Sequence, residues 1–306
     1  MERIINKILQ TNIKTYYPIL EFLKTLKFDS SISPELLYES FEYEKDSEKY
    51  NSIQLHKLFS KPFICDIKEI YVIIKPNINP IRNKFVGIGS LIKKENGKCD
   101  YDNIGCNPKD VQEAIERLQS IINDYMKIQN DNVLKPIIGF ILYLLYERIH
   151  PHEDGNGRMG RYLFFENSSL EESLFPLSGL LYESNESSTL FNEIFHFTNF
   201  PRKNISDDGK GFNDYPTLDE YFDISFINNS IINRIIRVLY IAKVYKYLKM
   251  KFKFPNYIIQ KLSSSNKGIK QYSKFNPEII NHITNNGFDM ELHRLHLVFI
   301  NETFVE

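Results

Sequence analysis

Between Lys135 and His150 the chain reads Pro-Ile-Ile-Gly-Phe-Ile-Leu-Tyr-Leu-Leu-Tyr-Glu-Arg-Ile, apolar almost without a break until Glu147 and Arg148. A helix of this kind has no polar face to give to solvent, so it must be buried on most sides with other elements packed around it. The stretch is shorter than the roughly 18 consecutive apolar residues of a membrane span, and no other window of the chain approaches that length. Burial therefore has to come from the protein itself. With 306 residues, 42% hydrophobic and 25% charged, the chain has the material for a sizeable core.

The surrounding pattern predicts mostly helices. Apolar residues recur at helical spacing through Ile4, Ile5, Ile8 and Leu9 and through Tyr17, Ile19, Leu20 and Leu23, and Pro34 suits a first helical turn. Asn107-Pro108-Lys109-Asp110 starts a helix that continues through Val111, Ala114, Ile115, Leu118, Ile121 and Ile122. Long helical periodicity resumes from Leu218 to Lys253. Between Ile70 and Tyr101 the text changes to β-branched and aromatic clusters, Ile70 to Ile74 and Phe85 to Ile92, broken by Pro76 and Pro80. That predicts a hairpin, with Asn96-Gly97 as its tight turn.

A net charge of -1 gives no general attraction to nucleic acid or a membrane surface. Charge is uneven, however, because Ile224 to Pro277 holds no acid but eleven Lys or Arg, among them Arg234, Arg237, Lys243, Lys246 and Lys249. Such a run solvates a helix face or attracts an anionic partner. Cys65, Cys99 and Cys106 are too few and too irregularly spaced for a disulfide framework or a four-ligand zinc site, which points to a reducing compartment. Charged residues interrupt the apolar ones from Met1 to Ile19, unlike a secretory signal. Together these features predict a cytoplasmic protein.

Directly after the buried helix comes His150-Pro151-His152-Glu153-Asp154-Gly155-Asn156-Gly157-Arg158-Met159-Gly160-Arg161. Two glycines around an asparagine let backbone N–H groups converge, and a helix beginning there adds its positive dipole end, so the turn suits phosphate oxygens. Arg158 and Arg161, three apart, share a helix face and reach the same polyphosphate. Asp154 is an oxygen ligand suited to Mg²⁺ shared with phosphates. His150 carries an imidazole able to take a proton from an incoming hydroxyl. The alternative grouping of His150, His152, Glu153 and Asp154 around a transition metal is poor, because adjacent ligands on one tight loop rarely wrap a tetrahedral ion. No Walker-type string is present.

The string resembles the motif of the Fic family, His-Pro-Phe-x-Asp/Glu-Gly-Asn-Gly-Arg-x-x-Arg, with every polar and glycine position filled. The resemblance implies a mainly α fold, a Fic-type helical bundle with a small β-hairpin flap. Its divisions would be an N-terminal helical segment over 1–69, a Fic core over 70–253 and a basic helical extension over 254–306. It implies a protein adenylyltransferase that moves AMP from Mg-ATP to a Tyr, Thr or Ser hydroxyl of a target protein. His150 would be the base, Asp154 would hold Mg²⁺, and Gly155, Asn156, Gly157, Arg158 and Arg161 would hold the phosphates. Asn185 would meet the adenine, and Lys84, Phe85, Val86 and Gly87 would lie in the flap that holds the target as an added strand. Ser40 and Glu44 have the spacing of the family's inhibitory helix, whose glutamate pairs with the second motif arginine. His152 departs from the family's phenylalanine, which predicts a less rigid loop or one held by a hydrogen bond. Rival readings are transfer from UTP or CDP-choline, removal of AMP by hydrolysis, and a binding module without turnover.

Overall fold

A computed structural model of the chain describes residues 1–26, 66–74, 79–93, 99–127, 133–157, 159–160, 163, 189–190, 193–195, 198–201, 215–263 and 275–302. The N-terminal periodicity becomes α1 (Glu2–Leu9), a 3₁₀ turn over Ile13–Tyr16 and α2 (Tyr17–Thr25), with Pro18 in the first turn of α2 where its missing N–H costs nothing. Pro34 lies outside the described residues.

The cluster Ile70 to Ile74, expected in a hairpin, is instead the end of a helix, α3 (Ile67–Ile74). Three hydrogen bonds explain the difference: the Asp66 carboxylate accepts from Lys68 N–H and Glu69 N–H at 2.8 and 3.1 Å, and Gln119, 52 residues away, accepts from Ile67 N–H at 2.9 Å. Capping satisfies the first-turn donors, and Ile67, Ile70 and Tyr71 then fall at helical spacing into the core. β-Branched residues are common in both states, and a distant glutamine was not readable from the local pattern.

The hairpin itself is shorter. Strand β1 (Gly87–Lys93) pairs antiparallel with β2 (Cys99–Ile104), Gly87 opposite Ile104 and Lys93 opposite Cys99, with an irregularity between Ile88 and Leu91. The Asn96-Gly97 turn lies outside the described residues. A short strand β3 (Phe200–Pro201) pairs with the other edge of β2, so the order β1-β2-β3 leaves β1 on the edge among the described residues.

Asp110 caps α4 (Val111–Lys127), its carbonyl accepting from Ala114 N–H at 2.8 Å. Next comes the apolar run as α5 (Lys135–Ile149), in which every residue from Pro136 onward is buried, Glu147 and Arg148 included. After the motif, Thr217 and Glu220 form a reciprocal capping box around α6 (Leu218–Tyr221), and Asn228 caps α7 (Asn229–Phe252). The predicted single period over 218–253 is thus broken at Phe222 to Asn228. Helices α8 (Asn256–Ser263), α9 (Pro277–Asn285) and α10 (Met290–Glu302) complete the C-terminal side. One continuous apolar core joins these helices, and α7 packs against α2, α5 and α8. The fold is mainly α with a small antiparallel sheet. Among the described residues no helix is long and apolar enough to cross a membrane.

The central position of α7 corrects the reading of a solvated or anion-facing surface for part of the basic run, whereas Lys251, Lys253 and Lys261 are exposed as that reading expects. Arg237, Lys243 and Lys246 are buried, because elements on several sides of α7 cover the long aliphatic stems. Among the described residues the Lys243 ammonium has no hydrogen-bond partner, and burial lowers it to about 7.

On the same core, His293 is fully buried, its Nδ1 accepting from the Tyr240 hydroxyl at 2.7 Å and its Nε2 donating to the Leu262 carbonyl at 2.8 Å. Both bonds suit the neutral ring, and burial holds it near 4. Folded-state protonation is therefore suppressed relative to an unfolded imidazole near 6.5, so stability is complete above that pH and declines as pH falls toward 4. Urea unfolding at pH 7 and pH 5 should show about 2 kcal/mol lost to this one group, and His293→Gln should flatten the difference. His296, also lowered by burial, adds in the same sense.

Candidate active site

Helix α5 has to end at His150, because the following Pro151 disfavours a further helical residue. His150 takes the left-handed conformation, φ 48° and ψ 63°, while its N–H still reaches the Tyr146 carbonyl at 3.0 Å. For a residue with a side chain this conformation costs roughly 1–3 kcal/mol, and neighbouring bonds must hold it. They come from Arg82. Its Nε donates to the His150 carbonyl at 2.6 Å, and its two terminal nitrogens donate to Lys84 at 2.7 Å, Cys106 at 2.5 Å and Ile149 at 3.2 Å. The Arg82 backbone N–H adds a bond to the Pro151 carbonyl at 3.0 Å, and Cys106 N–H bonds to Ile149 at 3.0 Å.

The entry of the flap, its exit and the end of α5 therefore meet on one buried guanidinium. Burial lowers Arg82 to about 10, still cationic at neutral pH, and raises the Cys106 thiol to about 12, which keeps it protonated and inert. A second arginine ties the other side of the helix end: Arg148 Nε donates to the Thr198 carbonyl and its Nη1 to the Asp223 carbonyl at 2.8 Å, with the guanidinium 4.3 Å over the Phe226 ring.

The loop after His150 is braced by its own side chains. His152 N–H donates to Asn156 Oδ1 and Asn156 Nδ2 donates back to the His152 carbonyl, both at 2.9 Å. The Asn156 carboxamide thus closes the turn, and only its backbone N–H is left to serve a ligand. Tyr71 of α3 donates to the Asp154 carbonyl at 3.0 Å, and Gly155 N–H bonds to Asp154 Oδ1 at 2.6 Å. Gly155 sits at φ 78°, where a side chain would be strained. Met159 N–H bonds to the Gly155 carbonyl at 3.0 Å, so a helix starts at Asn156, and helix geometry gives the N–H groups of Asn156 and Gly157 no acceptor of their own. Such an end has the polarity that suits an anion.

His152 fills the place of the family's phenylalanine as a buried aromatic, held by a hydrogen bond, as one of the two expectations had it. Its ring stacks on Tyr71 with centroids 3.6 Å apart and 12° between planes, and Nδ1 donates to the Pro80 carbonyl. Burial above all, then the nearby His150 and Arg82, pushes it down to about 3, against a raising contribution from Pro80. Its Nε2 is buried without a hydrogen-bond partner among the described residues. His152→Phe exchanges one good bond for removal of one unsatisfied nitrogen, so unfolding free energy should change by less than about 1.5 kcal/mol, whereas His152→Ala should lose roughly 2–5 kcal/mol by cavity formation. Thermal unfolding of the two variants checks this ordering.

Of the residues singled out from the sequence, His150, Asp154, Gly155, Asn156 and Gly157 come together on this loop, and Lys84, Phe85, Val86 and Gly87 lead into β1 beside it. An exposed ion pair, Lys84 Nζ to Glu153 Oε1 at 3.5 Å, joins the two groups. Arg158, Arg161, Asn185, Ser40 and Glu44 lie outside the described residues. The sequence reading missed the bracing roles of Arg82 and Tyr71, whose signal is a contact across tens of residues.

Residues 63–166 match the Fic/DOC family, a stretch that takes in α3, the hairpin, α4, α5 and the motif loop. No curated protein matches the chain. Family and geometry agree on the same loop, and Fic-type transferase activity in general goes with the domain. The match over residues 63–166 supports a Fic (Fido) domain in that part of the chain.

Proposed function

We propose that the protein transfers AMP from ATP to a Ser, Thr or Tyr hydroxyl of a target protein. The observation that carries this reading is the juxtaposition of His150, held in a left-handed conformation at the end of α5, with the open N–H end of the helix starting at Asn156. His150 takes the hydroxyl proton, the hydroxyl oxygen bonds to the α-phosphorus, and the bond from that phosphorus to the α,β-bridging oxygen breaks to release pyrophosphate. The N–H groups of Asn156 and Gly157, with Arg158 and Arg161, neutralise phosphate charge.

The donor set at Asp154 fits Mg²⁺: an exposed carboxylate whose Oδ1 is oriented by Gly155 N–H offers one oxygen to an ion that keeps waters and shares phosphates. Such an ion supplies charge compensation at the phosphates. The edge strand β1 accepts an extended target segment by main-chain pairing, which places a hydroxyl with little demand on its sequence.

The test is donor-resolved labelling. Purified protein with Mg²⁺ and a cell lysate should transfer label from the α-phosphate of ATP and none from its γ-phosphate. Label from the γ-phosphate would show phosphoryl transfer, label from UTP or CDP-choline another donor, release of AMP from a modified protein the hydrolytic reading, and no turnover at all a binding module.

A further inference from the structure

Glu147 is a carboxylate placed where a helix in an apolar core should not carry one. The residue is 3% exposed. Its Oε2 lies 3.4 Å from Nδ1 of His150, within ion-pair distance but not hydrogen-bonded, and among the described residues neither that Nδ1 nor Glu147 Oε1 has a hydrogen-bond partner. Taking a carboxylate out of water is costly unless a cation or donors compensate, and here the imidazole is the group in reach. Each buried polar atom left this way calls for an explanation, which a proton-transfer site supplies.

The packing also reserves the space. A Cβ added at Gly160, on the helix that follows the phosphate turn, would stand 2.6 Å from Glu147 Oε1 and 2.6 Å from Tyr143 Cε2. Only glycine lets that helix pass over the carboxylate. The same close approach ties the depth of the phosphate-binding helix to Glu147, one turn before the base.

The geometry points to Glu147 as the positioning residue of the base: its carboxylate accepts Nδ1–H of His150, so that Nε2, the other ring nitrogen, carries the lone pair that takes the target's proton. The distance is about half an ångström longer than a charge-assisted hydrogen bond, a gap of the size that catalytic contacts close when substrate is bound. When the hydroxyl proton moves to Nε2 the ring becomes a cation, and the carboxylate stabilises it without itself being protonated. The proton then leaves to solvent from Nε2 after release of the product. A carboxylate in this place costs stability and is retained for what it does to the imidazole.

The inference rests on the reading of His150 as the base, and the test separates the two. In ¹⁵N-labelled full-length protein, with the His150 signals assigned by their absence in His150→Asn, the neutral ring should be the Nδ1–H tautomer. In Glu147→Leu it should shift toward Nε2–H. The variant should unfold at the same temperature as the parent or higher, because a buried carboxylate has been exchanged for an apolar side chain of similar volume. Its kcat for transfer should fall about 10²-fold or more with KM for ATP within about twofold, the pattern of a group acting only on the proton-transfer step. A merely structural glutamate would lower the unfolding temperature and leave the tautomer unchanged.

An Nε2–H tautomer in the parent protein, or a Glu147→Leu kcat within about threefold of it, overturns the proposal. If Glu147→Leu does not fold, the near-isosteric Glu147→Gln carries the same kinetic comparison, and the tautomer of the parent needs no variant. Should the parent show no transfer to any protein, the proposed function fails while the tautomer still decides the diad.

Discussion

His150→Ala lowers the rate of transfer by about 10²–10⁴-fold while leaving ATP affinity close to that of the parent. The expectation follows from where the imidazole sits. Its backbone is bonded to Arg82 and Tyr146, and no described phosphate-binding N–H belongs to it, so removing the ring takes away proton transfer and little else. A hydroxyl is a poor nucleophile until its proton is taken, and in the motif loop His150 is the group suited to take it. His152, a few residues away, is spent on the Pro80 carbonyl and held near 3. Single-turnover transfer of α-phosphate label, beside calorimetric titration with ATP, measures the two quantities separately. A variant with nearly parental turnover would show that His150 is not the base.

Arg82→Met destabilises the fold by at least about 3 kcal/mol. The methionine replaces much of the packing volume, so the loss isolates the hydrogen bonds. Carbonyls of His150, Lys84, Cys106 and Ile149 lose a common donor in a buried place that offers water no access to Arg82, itself 2% exposed. An unmade buried hydrogen bond costs about 1–3 kcal/mol, so several together outweigh the cost of having buried the guanidinium. Arg82→Lys should rescue little, because one ammonium does not span carbonyls from the flap entry, the flap exit and the end of α5. Chemical denaturation measures the loss. Transfer measured below the unfolding transition should fall as well, since the left-handed His150 carbonyl is released; full activity there would confine Arg82 to a structural role.

How far the sequence could be read differed from element to element. Helix α5 was legible because fourteen residues with almost no polar face allow one kind of environment, and all of them are buried. The motif loop was legible because its chemistry is local: Gly155 needs a positive φ, Asn156 reaches back four residues, and the helix start follows from the turn. Helix α3 was misread, since Ile70 to Ile74 suits a strand as well as a helix and the deciding contacts come from Asp66 and from Gln119 on another element. Three cations of α7, Arg237, Lys243 and Lys246, were misread for a related reason. Sequence shows how many cations a helix carries but not how many sides of it are covered.

The amino-acid sequence by itself determined the groups carried at the end of α5: a histidine, a carboxylate and a glycine-rich turn on neighbouring residues, within interaction range whatever the rest of the chain does. Tertiary structure alone decided which groups serve that chemistry from a distance. Arg82, 68 residues from His150, becomes the joint between flap and base only when the strand exit and helix end close around it. Tyr71 finds His152 and Asp154 across about eighty residues because α3 packs beside the loop. The role of Glu147 depends on its burial and on the passage of Gly160 above it. Short-range geometry is written in neighbouring residues, whereas desolvation and the pairing of buried polar groups depend on everything that surrounds them, and that is known only once the chain has folded.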